Sequence, residues 1–170
     1  MSPYKTAVIL IGMPGVGKST LGRLLSQRLI MPFVDTDRLI EDAAGCSLQT
    51  IVDQAGFDAL VRWEESAILT QDFTAQVVAT GGSVVYSDRA MEHLGGFGPR
   101  LWLRLGLDAL SQRLDNFAQR GIARRQQDAD IQGLFDERCP LYQQYADRVV
   151  DLDGLDEAAA LERILAVLQQ

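Results

Sequence analysis

Gly12-Met13-Pro14-Gly15-Val16-Gly17-Lys18-Ser19-Thr20, GMPGVGKST, decides how the rest of the chain is read. It meets every fixed position of the pattern G-x-x-x-x-G-K-[ST], and Thr20 adds a second hydroxyl. The run before it, Thr6-Ala7-Val8-Ile9-Leu10-Ile11, is apolar and β-branched and predicts a buried strand. After it, Leu21, Leu24, Leu25 and Leu29 fall at helical spacing. Strand, glycine loop and helix in that order build an anion site. Glycines at 12, 15 and 17 let backbone N–H groups converge, and the helix N-terminus adds its positive dipole end. Lys18 would reach the β- and γ-phosphates, and the Ser19 hydroxyl would ligate Mg²⁺. Residues Gly12, Gly15, Val16, Gly17, Lys18, Ser19 and Thr20 are therefore expected to bind ATP. A ligand-free glycine turn would not need the lysine and hydroxyl that follow.

Outward from this loop, short apolar runs alternate with longer helical patterns. Strands are predicted at 6–11, 32–34, 76–79, 101–105 and 148–151. Leu107, Leu110, Leu114 and Phe117 mark an amphipathic helix, and Leu161, Ile164, Leu165 and Leu168 a C-terminal one. Such alternation implies right-handed crossovers and a parallel sheet with helices on both faces. The expected fold is α/β, a three-layer αβα arrangement of P-loop kinase type with a five-stranded parallel sheet. On that architecture ligands sit beyond the carboxyl ends of the strands. The loop at 12–20, Asp35-Thr36-Asp37 and Thr80-Gly81-Gly82-Ser83 would all meet there.

Composition narrows the function classes. At 170 residues with no repeat or linker, one domain spanning 1–170 is expected. A net charge of −7 argues against nucleic acid as partner, because phosphate backbones demand clustered positive charge. No apolar run approaches membrane-spanning length, so no membrane partner is expected. Cys46 and Cys139 have no metal-type spacing and read as idle thiols in a reducing cytosol. His93 stands alone and reads as a surface residue. The N-terminus enters the first strand without a leader-like segment, and a cytoplasmic monomer is expected.

The second half of the site is less explicit. Asp35-Thr36-Asp37 follows the second strand. Thr36 or Asp37 could cap a helix beginning near Arg38, while carboxylates facing a triphosphate also suit a magnesium shell or a substrate hydroxyl. Arg62, in Leu60-Val61-Arg62-Trp63-Glu64-Glu65, could be an exposed arginine beside a glutamate, or a fork for a substrate carboxylate. Gly81-Gly82 could be a tight turn, or bare backbone that a ligand approaches closely. Arg113 and Arg120 lie seven residues apart, with Arg124 and Arg125 following. Gly121 breaks the helical pattern, so 113–130 reads as a mobile lid, with a solvated charge run as the alternative.

Together these pieces resemble the shikimate kinase family, through nearly the whole length and in the same motif order. The resemblance implies ATP and Mg²⁺ as cofactors and phosphorylation of the shikimate 3-hydroxyl, a step of aromatic amino-acid biosynthesis. It places Asp35 with Mg²⁺ alongside Ser19, and Asp37 on the acceptor hydroxyls. It matches Arg62 and Arg138 to the arginines that hold the shikimate carboxylate, and Glu65 to the acid that braces the first of them. It matches Gly81 and Gly82 to the acceptor pocket, Arg120 to the lid arginine over the phosphates, and Arg113 to the arginine beside adenine. Lys18, Asp37 and Arg120 would carry the catalysis, and residues about 35–65 would form the acceptor-binding region. Three stretches depart from the family pattern: Ser83 replaces a third glycine, Val61 replaces a phenylalanine with one extra residue before it, and Gly121-Ile122-Ala123 replace the usual residues after the lid arginine. A kinase for another small hydroxy acid, such as a gluconate-like one, and a nucleotide-binding protein with an altered acceptor are the alternative readings.

Overall fold

A computed structural model describes residues 6–115 and 131–170. Its core is a sheet of five strands: β1 (Val8–Ile11), β2 (Phe33–Asp35), β3 (Val77–Ala79), β4 (Arg100–Arg104) and β5 (Arg148–Asp151). Their order is β2-β3-β1-β4-β5, and every neighbouring pair is parallel. β1 is central because it can be buried on both faces; Val8, Ile9, Leu10 and Ile11 are all nearly inaccessible. In register, Leu10 lies between Ala79 of β3 and Leu101 of β4. The expected α/β architecture with a five-stranded parallel sheet is the one observed, and each predicted strand is present to within two residues.

The helices among the described residues are α1 (Lys18–Leu29), α2 (Thr36–Ala44), α3 (Leu48–Ala55), α4 (Phe57–Leu69), α5 (Asp88–Gly95), α6 (Leu107–Asp115), α7 (Ile131–Tyr145) and α8 (Glu157–Leu168). α1 packs beside α8, whereas α4 lies against α5 and α7 against β4. α1 approaches β2 so closely that a β-carbon on Gly22 would sit 2.6 Å from the Phe33 ring. None of these helices is long and apolar enough to cross a membrane.

Two apolar cores serve different ends of the molecule. The larger surrounds the sheet. The smaller, Ile40, Ile51, Phe57, Ala59, Leu60 and Ala67, ties α2, α3 and α4 together beyond the end of β2. This separate core gives the acceptor-side helices a rigid footing of their own. α7 runs through Pro140, which removes one i→i−4 hydrogen bond from that helix. The lid expected at 113–130 lies, apart from the end of α6, outside the described residues, as do Arg120, Arg124 and Arg125.

Candidate active site

The phosphate loop joins β1 to α1 and leaves the sheet at the carboxyl end of the central strand. Gly12 has a φ of 146°, and a β-carbon there would lie 2.6 Å from the Leu103 carbonyl oxygen, so no other residue fits. Gly15 and Gly17 also adopt positive φ, and Gly17 caps α1 directly. Lys18 opens that helix, buried, and its Nζ donates to the Gly12 carbonyl at 2.6 Å and the Met13 carbonyl at 2.9 Å. Burial pulls the ammonium down to about 8, partly offset by Asp37. The lysine is thus held over the loop at the helix N-terminus, where a terminal phosphate would lie.

A single carboxylate couples this loop to β2. Asp35 Oδ2 accepts from Ser19 Oγ at 2.7 Å, and Oδ1 accepts from the Asp37 backbone N–H at 3.1 Å. The helix cap is therefore Asp35, not Thr36 or Asp37, and α2 begins two residues before the expected Arg38. One oxygen caps the helix and the other faces Ser19, so capping and cation binding do not compete for the same atom. A hydroxyl and a carboxylate side by side are hard oxygen donors of the type Mg²⁺ takes. Among the described residues no group of three or more His, Cys, Asp or Glu could hold a metal alone.

Beside the loop lies a crevice of about 430 Å³, a volume for a small molecule. Thr36, fully buried, accepts from the Gly81 N–H at 3.1 Å, while the Tyr142 hydroxyl donates to the Gly82 carbonyl at 2.6 Å. The two glycines are pinned from both sides, and their α-carbons face the crevice. A β-carbon on Gly81 would come within 2.6 Å of Glu64 Oε1 and 2.8 Å of Asp37 Oδ1. One on Gly82 would meet Pro14 at 2.8 Å and Arg138 Nη1 at 3.0 Å. The turn is made of glycine because charged groups crowd it.

Those charged groups are Asp37, Glu64, Lys18 and Arg138. Burial, reinforced by Asp35, pushes the Asp37 carboxyl up to about 6. Burial likewise pushes Glu64 up to about 7, against the lowering effect of a hydrogen bond from Ser83. Arg138 projects from α7 with 1% exposure. Its Nε donates to the Tyr86 hydroxyl at 3.1 Å, and its guanidinium lies 5.3 Å from the Tyr86 ring centre and 6.0 Å from that of Phe57. Among the described residues no carboxylate forms an ion pair with it, and Nη2 has no hydrogen-bond partner.

Arg62 is not part of this crevice. Along α4 the buried residues are Phe57, Ala59, Leu60, Glu64, Ala67 and Ile68, and Phe57, Leu60, Glu64 and Ile68 follow one another at spacings of three and four. Arg62 stands two residues from both Leu60 and Glu64, about 200° around the helix, and is exposed. The exposed reading of Arg62 is the one its geometry supports. The residue matched to its brace, Glu65, instead accepts from Ser87 Oγ at 2.6 Å and pairs with Arg89 at 2.9 Å. Glu64 is the acid that α4 turns inward, and it went unnoticed in the sequence although it lies four residues after Leu60 and four before Ile68. His93 is also not a simple surface residue: its ring packs edge-on against Phe73 and Phe97.

A second crevice, also about 430 Å³, adjoins the loop on its other side. Leu152, Leu155 and Ala160 give it an apolar wall, and Arg113 closes it with Nη1 donating to the Val16 carbonyl at 3.1 Å. The phosphate loop thus lies between two crevices, one lined by Lys18, Asp37, Glu64 and Arg138 and the other by Arg113, Asp156 and Glu157 beside its apolar wall.

A parallel sheet in this order, a phosphate loop after its central strand and paired crevices define a P-loop kinase fold. The family model for shikimate kinase matches residues 14–169. The shikimate kinase of Legionella pneumophila (strain Corby) is 34% identical over 164 residues, covering 95% of this chain and 93% of that protein. The chain belongs to the shikimate kinase family. Among solved structures, shikimate kinase from Acinetobacter baumannii in complex with shikimate superposes with a TM-score of 0.85 at 24% identity, covering 97% of this chain and 93% of that one. Shikimate kinase from Aquifex aeolicus gives 0.79 at 27% identity, covering 96% of each chain.

Proposed function

We propose that the protein transfers the γ-phosphoryl group of ATP to a hydroxyl of a small hydroxylated carboxylic acid, with shikimate and its 3-hydroxyl as the first candidate. The observation that carries the acid is Arg138: a buried guanidinium beside Gly82 with an unpartnered Nη2 is a receptor for an anion. Family membership supports shikimate as that anion and aromatic amino-acid biosynthesis in the cytoplasm as its setting. A single chain, 1–170, acting as one kinase domain and as a monomer is part of the same reading.

In this reading the loop from Gly12 to Thr20 cradles the phosphates, and the crevice beside Arg113, with its wall of Leu152, Leu155 and Ala160, takes the base. Lys18 moves from its own loop carbonyls to the β,γ-phosphate oxygens. Ser19 and Asp35 hold Mg²⁺, which when bound offsets charge on the phosphates. Arg138 fixes the acceptor carboxylate, and Asp37 orients the attacking hydroxyl. As the acceptor oxygen bonds to the γ-phosphorus, the bond to the β-phosphate oxygen breaks and ADP leaves; Asp37 is placed to take the hydroxyl proton. Positioning and charge compensation supply most of such a transfer. Arg120, from outside the described residues, would complete the phosphate shell.

The test is ADP release measured with a panel of hydroxy acids, shikimate and gluconate among them, in the wild type and Arg138→Ala. Substitution should cost about 2–5 kcal/mol in acceptor kcat/KM, with little change for ATP. Equal phosphorylation of an uncharged polyol by both proteins would overturn the carboxylic-acid acceptor.

A further inference from the structure

Glu64 and Ser83 form a buried pair that the phosphoryl-transfer roles above leave unused. Ser83 Oγ donates to Glu64 Oε2 at 2.7 Å, and the two residues are 8% and 2% exposed. The other oxygen, Oε1, is buried with no hydrogen-bond partner among the described residues. A buried carboxylate oxygen left without a donor is costly, so a site that keeps one is arranged for something that arrives later. Glu64 lines the charged crevice together with Asp37, Gly81 and Gly82. Its Oε1 and Asp37 Oδ1 crowd the same side of Gly81, at 2.6 and 2.8 Å from where a β-carbon would be. Any side chain at 81 would clash with both carboxylates.

We infer that Glu64, positioned by Ser83, binds the acceptor directly, receiving a hydroxyl other than the one that is phosphorylated. The inference rests on the hydroxy-acid reading and deepens it. Three observations fix the chemistry of the group received. With the carboxylate ionised Oε1 can only accept, so the ligand atom must donate. A bound divalent cation is disfavoured, because the Lys18 ammonium and the Arg138 guanidinium line the same crevice and repel it. A ligand carboxylate is repelled from Glu64 and drawn to Arg138, which approaches over Gly82 instead. The two glycines therefore divide the acceptor: hydroxyls over Gly81, carboxylate over Gly82.

Ser83 matters because it leaves Glu64 only one free oxygen. Without its hydroxyl the carboxylate would have two unpartnered oxygens and no fixed rotamer. With Arg62 turned to solvent, no basic side chain of α4 reaches Glu64, and the serine is what orients it. Ser83 is in this sense a positioning residue for specificity.

The experiment compares shikimate with its 4-deoxy and 5-deoxy analogues, by ADP release, in the wild type, Glu64→Ala and Ser83→Ala. In the wild type, loss of the hydroxyl that meets Glu64 should lower kcat/KM by about 10–100-fold, the range for a hydrogen bond to a charged group. In Glu64→Ala that same deletion should cost less than about 3-fold, because the partner oxygen is gone. Ser83→Ala, the milder change, should raise the acceptor KM several-fold with kcat and the ATP KM near wild type, and it decides the matter alone if Glu64→Ala does not fold. Undiminished discrimination against both deoxy analogues in Glu64→Ala, or an unchanged acceptor KM in Ser83→Ala, overturns the inference while leaving the hydroxy-acid reading intact. Transfer by the wild type to uncharged polyols but to none of the acids would overturn both.

Discussion

Ser19 and Asp35 meet at 2.7 Å, joining the phosphate loop to the end of β2 through one hydroxyl and one carboxylate oxygen. The other oxygen of Asp35 caps α2, so the residue carries a structural and a chemical duty on separate atoms. Asp35→Asn separates the two. Asparagine caps as well as aspartate, so the urea midpoint should hardly move. The charge facing Mg²⁺ is lost, and the Mg²⁺ concentration for half-maximal ADP release should rise about tenfold or more. An unchanged metal requirement would remove Asp35 from the cation site.

Lys18 has no role in the packed core beyond its bonds to the Gly12 and Met13 carbonyls. Lys18→Ala should therefore leave the circular dichroism spectrum native while lowering kcat by at least about 100-fold, the cost of removing one preorganised donor at the transferring group. Transfer at near-normal rate would disprove the assignment.

The two arginines matched to the acceptor carboxylate should behave oppositely. Arg138 is buried in the crevice wall, and Arg62 stands in solvent on the far side of α4. Arg62→Ala should change acceptor kcat/KM by less than about twofold, in the range of exposed charged side chains. A loss comparable with that of Arg138→Ala would mean that α4 turns or bends when the acceptor binds.

Glu64 should make the ligand-free protein less stable as the pH rises. Its carboxyl titrates at about 7 in the folded state against an ordinary 4.5. Below 4.5 both folded and unfolded chains hold the proton; between 4.5 and about 7 the folded chain binds more protons than the unfolded one. Stability attributable to this group is thus present at low pH and is lost as pH rises through about 7. Glu64→Gln should be more stable than the wild type at pH 8 by up to about 3 kcal/mol, with the gap closing toward pH 5. Urea denaturation at the two pH values measures it. A gap that does not narrow on acidification would show that Glu64 is ionised in the folded protein across this range.

The sequence alone determined the features that are local along the chain. A phosphate loop is contiguous, because its donors are the backbone of the same few residues, and GMPGVGKST could therefore be read without a structure. The strands were equally legible, since burial on both faces demands unbroken apolar runs such as Val8 to Ile11. Strand order, by contrast, depends on which crossovers pass over which neighbours, and only the structure placed β3 between β2 and β1. The acceptor crevice was decided by tertiary structure for the same reason: it is assembled from α2, α4, the turn after β3 and α7. On a helix, a shift of one residue swings a side chain by about 100°. Motif matching in the stretch Arg62-Trp63-Glu64-Glu65 could not resolve such a shift, and it took Arg62 and Glu65 where the packing of Leu60, Ala67 and Ile68 turns Glu64 inward.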